Sequence, residues 1–183
     1  MDFYYQLFLT QTDHDVVIDK MTKAGVTFFN VRSGYLRDFF AMQFDIDHLT
    51  DFDRLMHQIF GTLDIKYVLF GDIDFKRIVE FSDRLNVIIT DIGVARIDRD
   101  MVEKWESDLD NYIKCNNHDA ILQSIHDNEL NIKNMSLLYD DSITIKIYDS
   151  GIIQTSVDLA QSETLQDLLK AILKITRGVF DEE

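Results

Sequence analysis

The chain has 183 residues, 46% of them hydrophobic and 28% charged, with 33 acidic side chains against 18 Lys and Arg and a formal charge of −15. That apolar content can fill a core and excludes a disordered chain. The charge excludes a surface built to grip phosphates or anionic lipid, which takes Lys and Arg, and leaves a basic partner or plain solubility as what it serves.

Of the 33 acids, 26 are Asp and 7 are Glu. A helical solubilising surface favours Glu, the better helix former, whereas Asp caps helices, fills turns and presents a short carboxylate. The single cysteine, Cys115, allows no internal disulfide and points to a reducing compartment. The first residues, MDFYYQLFLTQTD, carry no basic leader segment, and no apolar run approaches membrane-spanning length. The expected location is the cytoplasm. Proline is absent, where average usage gives about nine. Together with abundant Ile, Asn, Lys, Asp, Phe and Tyr, this is the composition of an AT-rich coding sequence, as in a phage, a plasmid or a low-GC bacterium.

Residues 3–10 read as a buried strand. Thr12 and Asp15 open a helix whose inner face is Val17, Met21 and Ala24 and which stops at Gly25. Residues 26–32 and 38–46 form two antiparallel strands about a Ser33-Gly34 turn. Thr50 caps a second helix, with Asp53 three residues on and a stripe of Phe52, Leu55, Met56, Ile59, Phe60 and Leu63. A strand over 65–70 completes a β-α-β-β-α-β order, the ferredoxin-like arrangement, with the third and fourth strands parallel and the first between them. Asp74 caps a helix over 75–85, and 86–97 is a strand or bent hairpin weakened at Gly93. From Asp98-Arg99-Asp100 a helix of about fifteen residues runs with Val102, Trp105, Leu109, Tyr112 and Ile113 inward. Asn116-Asn117 breaks it, and Asn117 caps a short helix with Ile121, Leu122 and Ile125 inward. A strand over 136–139 precedes a hairpin over 142–159 turning at Asp149-Ser150-Gly151. Ser162 caps a last helix over 163–176, striped by Leu165, Leu168, Leu169, Ile172 and Leu173, with Gly178 after it. The expected fold is α+β: a ferredoxin-like half over 1–98, then a helical pair, β-hairpin and terminal helix over 99–183, packed separately or as one domain.

Two constellations bear on chemistry. Asp45, Asp47, His48, Asp51 and Asp53 surround the start of the second helix. The topology is expected to bring Asp72 and Asp74 to the same end of the sheet, about 10 Å away. Carboxylates alone suit Mg²⁺ or Mn²⁺, the ions of phosphoryl transfer. The string VLFGDIDFKRI (68–78) resembles locally the first metal-binding strand of nucleotidyl cyclase and polymerase palm domains, which carry Asp-x-Asp acids on a βαββαβ fold. The resemblance covers about ten residues. No Gly-Gly-Asp/Glu-Glu-Phe hairpin follows, no Lys/Arg cluster is placed to grip phosphate, and the strand stands fourth rather than first. Asp74 and Asp53 also serve as ordinary helix-start acids.

The second is an acidic row, Asp100, Glu103, Glu106, Asp108 and Asp110, on the outer face of the 99–114 helix, which Asp119, Asp127 and Glu129 extend. Such a row can imitate the spacing of phosphates in a nucleic-acid channel. Zinc has no complete ligand set: Cys115 and His118 make a C-x-x-H with no second pair, and His126 lies on another turn. Nucleophile motifs are absent; Cys115 with His118 can be drawn as a dyad, but a lone Cys at a helix end is more often inert.

The function these residues favour is a non-enzymatic, cytoplasmic inhibitor. It would neutralise a basic or nucleic-acid-handling protein, as a phage-encoded anti-CRISPR or anti-restriction protein does, or a toxin-immunity protein. It would bind neither nucleic acid nor membrane and needs no cofactor. The alternative is a divalent-metal-dependent nucleotide-binding or phosphoryl-transfer protein using Asp45, Asp47, Asp72 and Asp74. A homodimer through a sheet edge or apolar face is the blandest reading.

Overall fold

The computed structural model describes residues 2–31, 39–61, 65–95 and 99–177, with side chains described throughout these except at 31, 48–50 and 99–105. Its organising element is strand β1 (Phe3–Thr10). Tyr5 and Leu7 point to one core cluster and Phe8 to another, all fully buried. A strand apolar on both faces must lie inside a sheet covered on both sides, and β1 does.

The remaining strands are β2 (Phe28–Val31), β3 (Phe39–Phe44), β4 (Ile65–Tyr67), β5 (Val87–Val94), β6 (Ile132–Tyr139), β7 (Ile143–Tyr148) and β8 (Ile152–Thr155). They form one antiparallel sheet in the order β2-β3-β1-β8-β7-β6-β5, with β4 also paired to β1. One side of β1 is shared: β8 pairs with residues 3–6 and β4 with residues 8–10. The fold is therefore mixed α+β with an antiparallel sheet larger than the four strands expected of the N-terminal half, and the hairpin of the C-terminal half continues that sheet.

Seven α-helices lie among the described residues: α1 (His14–Ala24), α2 (Leu49–Phe60), α3 (Asp72–Glu80), α4 (Ser82–Leu85), α5 (Arg99–Lys114), α6 (His118–Asp127) and α7 (Glu163–Thr176). Val17 and Met21 of α1 and Phe52, Met56, Ile59 and Phe60 of α2 pack with Phe8, Phe40, Met42 and Phe44 on one face of the sheet. The apolar residues of α3 to α7 pack on the other face with Tyr5, Leu7, Ile89, Met135, Leu137, Ile145 and Ile147. Across β6, β7 and β8 the face shared with α1 and α2 carries Ser136, Lys146 and Gln154, opposite one another in register.

Several expected caps hold. Asn117 accepts from the Ala120 N–H and Ser162 from the Leu165 N–H, and Gly25 ends α1 in the left-handed conformation. Others move. Asp13, not Thr12, caps α1 by accepting from the Asp15 N–H, and Ala24 is exposed. A 3₁₀ turn over Ile46–His48 leads directly into α2 at Leu49, so Thr50 stands inside the first turn rather than at the cap. Asp74 stands in the first turn of α3 and accepts from the Gly71 N–H, 2.8 Å away. The expected helix over 75–85 starts at Asp72 and breaks at Phe81. The Ser33-Gly34 turn, Leu63, Asp98, Gly178 and the acidic tail lie outside the described residues.

Strand β4 is short because the chain changes partner soon after Tyr67. The Val68 N–H still donates to the Leu7 carbonyl, but the Phe70 N–H donates to Asp149, in the turn between β7 and β8. That turn takes over the edge of β1 at this point, and its Gly151 carbonyl accepts the Leu7 N–H.

A second tie joins the chain's two ends. The buried Tyr5 hydroxyl donates to Asp158 Oδ1 at 2.8 Å and accepts from the Leu159 N–H at 3.1 Å, just before α7. Burial first, and the hydrogen bond to Asp158 second, push the Tyr5 hydroxyl well above the usual tyrosine range. Tyr5→Phe is expected to cost about 1–3 kcal/mol in urea unfolding, because it leaves the Leu159 N–H without its acceptor. The weakened acidity of this hydroxyl makes stability depend on pH. Above about pH 10 tyrosine ionises in the unfolded chain while Tyr5 stays protonated in the folded one, so stability falls as pH rises. Below that range the contribution is fully present. Unfolding curves from pH 8 to 11 should show a shallower alkaline decline in Tyr5→Phe than in the parent protein.

Candidate functional interface

The sheet order gathers one end of the molecule from distant stretches of sequence. The start of β1, the end of β3, the end of β8, the β6–β7 turn and the start of β5 all emerge there, as the pairs Tyr4↔Phe44, Phe3↔Thr155, Tyr139↔Ile143 and Val87↔Tyr139 require. The exposed acids Asp2, Asp45, Asp47, Asp83, Asp140 and Asp141 stand on these segments or on α4 beside them. Sequence reasoning singled out Asp45 and Asp47 and missed the other four. The missing signal is the register: these residues are local neighbours only once β1, β8, β7 and β6 are side by side.

Two concavities open at this end. One is lined by Asp2, Phe3, Tyr4, Phe44, Asp45 and Asp47, together with Thr27, Gln43 and Ile46. The rings of Tyr4 and Phe44 lie 6.1 Å apart at 52°. Asp2 accepts from the Gln154 side-chain amide at 2.8 Å, and Asp45 accepts from the Asp47 N–H at 3.0 Å. Ile46 is 43% exposed. The other concavity is lined by Asp83, Asn86, Asn116, Asp140 and Asp141 around Ile88 and Leu138. Asn86, Asn116, Asp140 and Asp141 all have positive φ, the conformation that Asn and Asp tolerate best after glycine.

The acidic row on α5 is in place in part. Glu106, Asp108 and Asp110 are exposed, with Leu109 and Ile113 buried behind them. The side chains of Asp100, Glu103, Val102 and Trp105 lie outside the described residues. Asp119, Asp127 and Glu129 are exposed on and after α6.

The carboxylates expected to meet as a metal site do not meet. The last pair of β3 with β1 is Phe44↔Tyr4, whereas the last pair of β4 is Tyr67↔Phe8. These ends are four residues apart along β1, about 13 Å at strand spacing. After β4 the chain also passes to the opposite face, where Phe75, Ile78 and Val79 of α3 pack. There Asp72 accepts from the Ile132 N–H at 2.9 Å, holding the start of β6, and Asp74 holds Gly71. Asp51 pairs with Arg54 on the surface of α2. Asp53 stands near Tyr67, whose hydroxyl is raised by burial and then by that charge. Among the described residues no three His, Cys, Asp or Glu side chains gather as metal ligands.

The nearest approach to a nucleophilic triad is Ser82, His118 and Asp83. Ser82 Oγ lies 3.3 Å from Nδ1 and 3.2 Å from Nε2 of His118, so it faces the carbon between the two nitrogens rather than either one. Its hydroxyl donates to the Val79 carbonyl at 2.8 Å, and the residue is fully buried. His118 Nε2 is 2.9 Å from Asn116 Oδ1 and Nδ1 is 3.9 Å from Asp83. A hydroxyl already committed to a carbonyl, out of reach of solvent, is not a nucleophile. Cys115 is exposed at the end of α5 while His118 turns to Ser82 and Asn116.

No family model, no curated protein and no solved structure matches the chain.

Proposed function

We propose that the chain is a non-enzymatic acidic binding protein that occupies the basic surface of a nucleic-acid-handling protein, as an anti-CRISPR or anti-restriction inhibitor or a toxin-neutralising protein does. The observation that carries this reading is the acidic end of the sheet, where three distant parts of the chain present Asp2, Asp45, Asp47, Asp140 and Asp141 to solvent. The α5 acids Glu106, Asp108 and Asp110 add to it, and Asp100 and Glu103 share that helix. A charge of −15 without a matching set of cations has no use for anionic ligands. It speeds encounter with a basic partner and makes the complex sensitive to salt.

The first four strands, in the order β2-β3-β1-β4 with α1 and α2 on one face, support a ferredoxin-like N-terminal half onto which β5–β8 extend the sheet. The lone cysteine favours a cytoplasmic setting. Among the described residues no helix is long and apolar enough to cross a membrane.

Calorimetric titration against a panel of basic bacterial nucleases tests the reading. At least one should bind, with affinity falling about tenfold or more between about 50 mM and about 300 mM salt. Binding to none of them, or binding indifferent to salt, overturns it.

A further inference from the structure

We propose that the groove between the start of β1 and the end of β3 is the docking site for an arginine-bearing, partly apolar segment of the partner protein. This inference rests on the reading of a basic partner and goes further by naming the surface and the side chain it takes.

The groove differs from the second acidic concavity, whose apolar lining is aliphatic, in having an aromatic wall. Tyr4 and Phe44 set two rings at 52° to one another, and the exposed Ile46 extends the wall beyond them. Asp2, Asp45 and Asp47 line the same groove, and none of its described lining residues is a lysine or arginine. The one described partner of the Asp2 carboxylate is the neutral amide of Gln154, so that bond leaves its negative charge in place. An aromatic wall with carboxylates beside it is complementary to a planar cation. A guanidinium stacks on a ring and donates to carboxylates in the same plane, whereas an ammonium is held by hydration and fits a ring less well. The apolar wall gives a neighbouring aliphatic side chain somewhere to go, which the α5 row, a solvated helix back, does not.

The wall is also held in place. Phe44 is buried and packs on Phe52 of α2 at 4.7 Å, and Tyr4 pairs with Gln154 across the strand. A groove whose walls are fixed before binding loses less conformational freedom when it is filled.

The test uses the full chain labelled with ¹⁵N and a short acetylated peptide containing Arg-Leu-Arg, at about 50 mM salt. Amide shifts should move at Tyr4, Gln43, Phe44, Ile46 and Asp47. The matching Lys-Leu-Lys peptide should bind about threefold or more weakly. Asp2→Asn with Asp47→Asn should weaken the arginine peptide about tenfold. Asp19→Asn with Asp91→Asn, which removes the same charge elsewhere, should change it by less than about twofold. Tyr4→Leu, which keeps every charge, should also weaken it about threefold or more. Shifts confined to α5 and α6, or equal loss in both double variants, overturn the groove while leaving the basic-partner reading standing. Shifts nowhere, with either peptide, count against both.

Discussion

Gly151→Ala is expected to lower the stability of the fold by more than about 3 kcal/mol, against the 5–15 kcal/mol typical of a whole domain. Gly151 has φ +81°, and a Cβ added there would stand 1.7 Å from the Val68 carbonyl oxygen and 2.9 Å from its carbon. Both atoms are backbone, so no side chain can swing aside. Relief requires the β7–β8 turn to lift away from the 68–70 segment, which breaks the Leu7 N–H to Gly151 bond and the Phe70 N–H to Asp149 bond together. Gly25 supplies the internal control. Its φ is +69°, but nothing lies within 4 Å of an added Cβ. Gly25→Ala should therefore cost only the conformational strain, about 1–2 kcal/mol. Urea midpoints for the two variants separate strain from collision. Equal losses would mean that the turn does not lie against Val68 as described.

Phe8→Ala is the second large effect, expected at about 3–5 kcal/mol. Phe8 is fully buried, stacks on Phe40 at 5.4 Å and 15°, and touches the Phe60 ring at 5.1 Å. It joins β1, β3 and α2 in the smaller of the two clusters, where few neighbours can move in to fill the space. Chemical denaturation with an unchanged slope and a much lower midpoint is the expected result. A loss under about 1 kcal/mol would show that α2 is not packed on this face.

What could be read in the sequence was local. The helices over 118–127 and 163–176 follow from an apolar stripe and a capping side chain, Asn117 and Ser162, and both caps bond as expected. The sequence pattern starts β6 at Ser136 rather than Ile132 because a bulge hides the strand's start. The register slips between Gly93 and Val94, so Ile132 and Asn134 pair with adjacent residues of β5 and the two-residue alternation fails there. The sharing of β1 by β4 and β8 joins residues about 150 apart in sequence, and no periodic pattern encodes it. The same is true of the interface. Asp45 and Asp47 stand out because they adjoin a helix start, whereas Asp2, Asp140 and Asp141 acquire meaning only from the strand order. The acids at 72 and 74 look equivalent to those at 45 and 47 in sequence. They differ because the chain leaves β4 four residues further along β1 and passes to the opposite face.

The acidic end is proposed to stand in for nucleic acid on a basic protein, and displacement tests that most directly. A fluorescent DNA is bound to a basic nuclease from the panel, and the protein is titrated in while anisotropy is followed at about 50 mM and about 300 mM salt. The expected result is stoichiometric release of the DNA at low salt and a markedly weaker effect at high salt. DNA that stays bound throughout, at either salt, on every nuclease tried, would contradict it.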